Sequence, residues 1–139
     1  MSGKSELVAG WIAKADSDLM AGQLLSKSGP YDIVCFHAQQ AIEKLLKALL
    51  AFYDQPPPRT HDLEELQRLV LATYESKELA DLDLFEASDY AVMARYDLQF
   101  WPDEETAAGA LSLAADVKRI TLALLATKNP DNSPDNSEE

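Results

Sequence analysis

The sequence predicts an all-α protein, an antiparallel up-and-down bundle of four to five helices. Three observations predict it. Apolar residues recur at helical spacing in five stretches. No stretch shows the alternation of a convincing strand. The connections are short enough to favour antiparallel neighbours. The 139 residues fit one domain, and a chain of this size buries about two-thirds of its unfolded surface without a disulfide or metal staple. The folded unit is expected to span residues 1–127. Residues 128–139 read as a disordered acidic tail, because from Asn129 the chain repeats Pro-Asp-Asn-Ser with no apolar residue to bury.

The first helix carries Val8, Trp11, Ile12, Ala15 and Leu19 as its stripe, with Lys14, Ser17 and Asp18 elsewhere on the wheel. Gly22 lies near that stripe, where it suits close helix packing, and Ser28-Gly29-Pro30 stops the helix. The second runs from about Tyr31 to Tyr53 and ends in the stiff connector Gln55-Pro56-Pro57-Pro58. A third starts near Thr60 or Asp62. Asp62 with Glu65 three residues on comes close to a capping box, and Leu63, Leu66, Leu69, Val70 and Thr73 form the apolar side. The fourth spans roughly Leu79 to Tyr96. The fifth follows Trp101-Pro102 and opens with Asp103, Glu104 and Glu105, acids favourable at a helix N-terminus. Its inward seam is Leu113, Val117, Ile120 and Leu124.

Composition narrows the class. A 47% hydrophobic content excludes an intrinsically disordered chain. The lone Cys35 cannot form an internal disulfide, gives no sign of an oxidising compartment, and reads as a small packed hydrophobe. The opening Met1–Glu6 lacks a signal peptide's basic start and apolar run. No uncharged apolar run approaches the roughly eighteen residues of a membrane span. The expectation is a soluble, cytoplasmic protein with no membrane partner. The net charge of −12 repels free nucleic acid, so binding it requires a local basic patch or a basic partner.

The second helix carries most of the functional information. Val34, Ala38, Ala41, Ile42, Leu45, Ala48, Leu49 and Phe52 form one apolar arc. The opposite arc carries Gln39, Gln40, Glu43, Lys44 and Lys47, interleaved with Ile33, Phe36 and Leu50, and His37 falls on the border. Large apolar groups among amides and an ion pair suit a covered face, so Ile33, Phe36, Glu43 and Lys47 are expected at a dimer interface. Scattered surface hydrophobes are the blander reading.

The segment Phe36-His37-Ala38-Gln39-Gln40-Ala41-Ile42-Glu43-Lys44-Leu45-Leu46-Lys47-Ala48-Leu49-Leu50 resembles the second-helix signature of prokaryotic HEPN domains. Thr60-His61-Asp62-Leu63-Glu64-Glu65-Leu66 and Ala94-Arg95-Tyr96 support the resemblance at the expected separation, as do Trp11 and the Ala15–Leu25 stretch. The resemblance covers about residues 7 to 125. It implies a bundle of four or five helices, commonly a homodimer, often encoded beside a minimal nucleotidyltransferase as toxin and antitoxin. Nucleotide or RNA is the implied ligand class.

One departure bears on activity. Active HEPN ribonucleases share an arginine followed four to six residues later by a histidine, and after Arg95 those positions hold Gln99, Phe100 and Trp101. Metal-free RNA cleavage needs a proton acceptor for the 2′-hydroxyl and a donor for the leaving oxygen. Without the motif histidine the favoured reading is a non-catalytic interaction module. The alternative is a divergent metal-independent endoribonuclease using His37, His61 and Arg95.

His37, Gln40 and Lys44 follow at spacings of three and four along one edge of the second helix. With Arg95 and Tyr96 they make the expected recognition surface, a local anion site in an acidic protein. Arg95 reads equally as a partner for a carboxylate on a neighbouring helix. His61 beside Asp62 invites an acid–base or metal reading, while the blander one is a histidine near a helix cap. Trp101-Pro102 reads as a turn anchor. No Glu lies three residues before either histidine, and there is no Gly-rich phosphate loop, zinc spacing or nucleophile elbow. No cofactor or metal is expected.

Overall fold

The computed structural model of the chain describes residues 2–128. They form an all-helical bundle, with no strand among the described residues. The elements are α1 (Ser2–Leu24), α2 (Tyr31–Phe52), α3 (Leu63–Leu71), α4 (Lys77–Asp81), α5 (Phe85–Ser88), α6 (Tyr90–Tyr96) and α7 (Glu104–Lys128). The expected acidic tail lies, from Asn129 onward, outside the described residues. No helix among them is long and apolar enough to cross a membrane.

α2 is the axle. It packs against α1, α7, α6, α3 and α5, and from Ala38 to Ala51 only Gln40 and Lys44 escape burial. Val34, Ile42, Leu45, Leu46 and Leu49 sit at its centre, met by Ala15 and Leu19 of α1, Leu63 and Leu66 of α3, and Val117 and Ile120 of α7. Burying such aliphatic side chains is worth roughly 1.5–3 kcal/mol each. Close approach needs small residues where long helices cross. A Cβ on Gly22 would stand 2.7 Å from Leu111 Cδ2 of α7, so the glycine admits that leucine. Gly29, at φ 79°, makes the turn into α2 in the left-handed region that glycine tolerates.

Local signals explain the termini. Asp62 Oδ1 accepts from the amides of Glu64 and Glu65 and caps α3. The reciprocal half of the expected box differs, because the Asp62 amide goes to Thr60 Oγ1 rather than to Glu65. Asp103 Oδ1 accepts from the Thr106 amide at the start of α7. That hydrogen bond holds the Asp103 carboxyl below its ordinary value.

The expected fourth helix is three short ones. Asp83 Oδ1 takes the Phe85 amide, Ser88 Oγ takes the Leu63 amide across to α3, and Gln67 Nε2 donates to the Leu79 and Leu82 carbonyls. Asp83 and Gln67 satisfy backbone that a continuous helix would have paired, while Ser88 ties the segment to the open first turn of α3. The inward residues Leu79 and Leu84 are five apart, a step that one straight helix cannot keep on one face.

Candidate functional site

Two side-chain clusters sit on α2, each a carboxylate shared by a histidine and a lysine. In the first, Asp18 of α1 receives His37 Nδ1 at 2.8 Å and Lys44 Nζ at 2.6 Å, one on each oxygen. In the second, Glu43 receives His61 Nδ1 at 2.8 Å on Oε1 and Lys47 Nζ at 2.8 Å on Oε2. An ionised carboxylate only accepts, so Nδ1 of each imidazole is the protonated nitrogen and Nε2 remains available. A chain of amides extends the second cluster along α2. Gln40 Nε2 donates to Gln39 Oε1 at 2.7 Å, and Gln39 Nε2 donates to Glu43 and to the His61 carbonyl.

The second cluster runs from the interior to the surface. Glu43 and Lys47 have side chains only 6% and 9% exposed, whereas the His61 side chain is 55% exposed. Burial acts to raise the Glu43 pKa. The hydrogen bonds from Lys47 and His61, reinforced by their charges, outweigh it and hold the carboxyl below its ordinary value. Lys47 also lies 5.7 Å from the centre of the Trp11 ring, so its ammonium meets an aromatic face as well as a carboxylate.

The sequence-expected residues therefore divide. His37 and Lys44 come together on Asp18, so the Lys44 ammonium expected at the anion site is already paired with a carboxylate. Asp18 was missed as a site residue, yet its spacing from Trp11, Ala15 and Gly22 marks it as part of the packed face of α1. Glu43 and Lys47 do not stand on an open dimer face. They, Gln39 and Leu50 are buried by their own chain, the segment carrying His61 meeting Gln39 and Glu43, and Trp11 of α1 meeting Lys47. Ile33 and Phe36, nearer the start of α2, stay partly exposed.

Arg95 and Tyr96 close α6 beside Phe36. The Arg95 guanidinium lies 5.6 Å from the Phe36 ring centre and 5.2 Å from that of Tyr96, and the Phe36 and His37 rings meet edge to face at 5.3 Å. Arg95 Nε donates to the Ala91 carbonyl rather than to the carboxylate that was the alternative. Trp101 Nε1 closes its turn on the Leu98 carbonyl. Among the described residues no group of three or more acidic, histidine or cysteine side chains is placed to hold a metal ion.

The bundle and this central helix define the class, a small all-helical domain with a polar network on its axle. A family model of the HEPN domain matches residues 8–124, and the chain belongs to that family. No curated protein and no solved structure matches it.

Proposed function

We propose that this chain is a non-catalytic HEPN interaction module. It acts as a homodimer, binds a minimal nucleotidyltransferase partner in a toxin–antitoxin setting, and recognises a phosphate-bearing group such as a nucleotide through Arg95 and Tyr96. One observation carries the reading. In a chain of net charge −12, the exposed Arg95 guanidinium is steadied by two aromatic rings and a backbone carbonyl. Its terminal nitrogens remain for the paired hydrogen bonds that a phosphate accepts. His37, Gln40 and Lys44 have a supporting role, since Asp18 ties His37 and Lys44 to α1 and fixes the helix that carries Phe36.

Titration calorimetry of the protein with ATP tests it. Arg95→Ala is expected to weaken binding by about 1.5–3 kcal/mol, the loss of a charge-assisted contact, and to leave the melting temperature nearly unchanged. A large loss of stability with ATP binding intact would reverse the assignment.

The paired histidines favour a second reading, a divergent metal-independent endoribonuclease. A carboxylate on Nδ1 orients an imidazole and leaves Nε2 for proton transfer, and both histidines have one. Incubation with labelled RNA separates the readings. Cleavage abolished by His37→Ala or His61→Ala selects the enzyme, and intact RNA selects the module.

A further inference from the structure

The α3–α5–α6 face bears a shallow depression of about 260 Å³, lined by His61, Asp62, Glu64, Phe85, Asp89 and Val92 among others. Its apolar part is unusually open, with Phe85 67% and Val92 52% exposed. Its rim carries three carboxylates, and no lysine or arginine lines it. Asp62 spends one oxygen on the α3 cap, while Glu64 and Asp89 are exposed at the surface. Glu86 follows Phe85 on the same short helix and adds another exposed acid.

From this juxtaposition the geometry points to a docking site for a basic, apolar-flanked segment of a partner protein. A lysine or arginine side chain enters the depression with its aliphatic stem along Val92. Its charged head lies against the Phe85 ring and between Glu64 and Asp89. The occupant follows from charge and shape together. An aromatic face beside carboxylates attracts a cation, and an apolar floor favours one on an alkyl stem. Locally the lining offers carboxylates and no lysine or arginine, so nucleic acid, anionic lipid or an acidic segment gains no counter-charge at this depression. The site goes beyond the reading built on Arg95. It shares α6 with Arg95 but not its contacts, since Phe36, Ala91 and Tyr96, which hold the guanidinium, do not line the depression, so Arg95→Ala and the variants below can fail separately.

The probe is a fluorescein-labelled amphipathic peptide of leucine and arginine, with a leucine–glutamate peptide of the same pattern as control. Fluorescence anisotropy with the full chain is expected to give saturable, micromolar, salt-sensitive binding of the arginine peptide alone. The double variant Glu64→Gln/Asp89→Asn should weaken it about ten-fold, and Phe85→Ser should weaken it by several fold. A second double variant, Glu6→Gln/Asp116→Asn, removes the same charge from α1 and α7, which do not line the depression. It should change affinity by less than about two-fold. All these side chains are exposed or half-exposed, so the variants should fold, as circular dichroism would confirm. Amide shift changes should map to residues 61–64 and 85–92. Equal losses in the two double variants, unchanged binding in the first, shift changes elsewhere, or equal binding of the glutamate peptide would each overturn the site.

Discussion

At the scale of single residues, Glu43 carries the heaviest electrostatic task. It is buried, yet its carboxyl titrates below the ordinary 4.5 because Lys47 and His61 hold the ionised form. A carboxylate depressed by folding stabilises the fold at every pH above its unfolded value. That contribution is lost as pH falls below about 4.5 and through the folded value. Glu43→Gln leaves the Lys47 ammonium buried without a counter-charge, which costs about 3–5 kcal/mol when one partner of such a pair is removed. Urea unfolding of both proteins between neutral pH and pH ~3 is expected to show that deficit at neutrality, with the gap narrowing as acid neutralises the wild-type carboxyl. A gap independent of pH would mean that packing, not charge, is what Glu43 supplies. The sequence displayed this residue but not its burial. Gln39, Glu43 and Lys47 repeat every four residues as a solvated stripe would, and the covering by the His61 segment and by Trp11 of α1 makes them interior. The interleaved Leu50 was the signal, and it pointed to the chain's own fold rather than to a second subunit.

At the scale of elements, long helices were legible and the short ones were not. α1, α2, α3 and α7 start and stop near the Gly29-Pro30, triple-proline, Asp62 and Pro102 signals, because caps and breakers act within one turn. The region from about Leu79 to Tyr96 reads as one helix by its apolar content. It is divided by contacts to distant residues, Gln67 and Leu63, that no local pattern announces. The α3 cap gives a clean test. Asp62→Ala removes the acceptor for two amides and should cost about 1 kcal/mol, with Asp62→Asn recovering most of it. Thermal melts that rank the asparagine variant with alanine would show that the Asp62 charge, not its hydrogen-bonding shape, supports α3.

At the scale of the whole molecule, the pairing of copies turns on Ile33 and Phe36. These large α2 side chains remain part-exposed after the chain has covered the rest of that helix. Light scattering at tens of micromolar is expected to report a dimer, since that range populates any interface with a micromolar dissociation constant, about 8 kcal/mol. Phe36→Glu should shift it to monomer, because a carboxylate buried without a partner costs several kcal/mol. A monomeric wild type, or a dimeric variant, would refute the pairing surface. The candidate site was half-visible at this scale. His37 and Lys44 were found by their spacing along one helix, whereas Asp18 comes from another and could be found only by asking which face of α1 its neighbours bury.

The buried polar stripe of α2 has a consequence for rotational phase. A central helix greasy on every side could turn or slip by a residue and still find hydrocarbon to meet. Gln39, Glu43 and Lys47 permit one setting only, the one in which His61 and Gln40 complete their hydrogen bonds. They act as the teeth of a key. Replacing all three with leucine or methionine is expected to raise the melting temperature, since apolar substitutes for buried ion pairs are often neutral or stabilising by about 1–4 kcal/mol. The amide spectrum of that variant should broaden as α2 samples neighbouring phases. Sharp lines at a higher melting point would instead show that side-chain shape alone keys the axle.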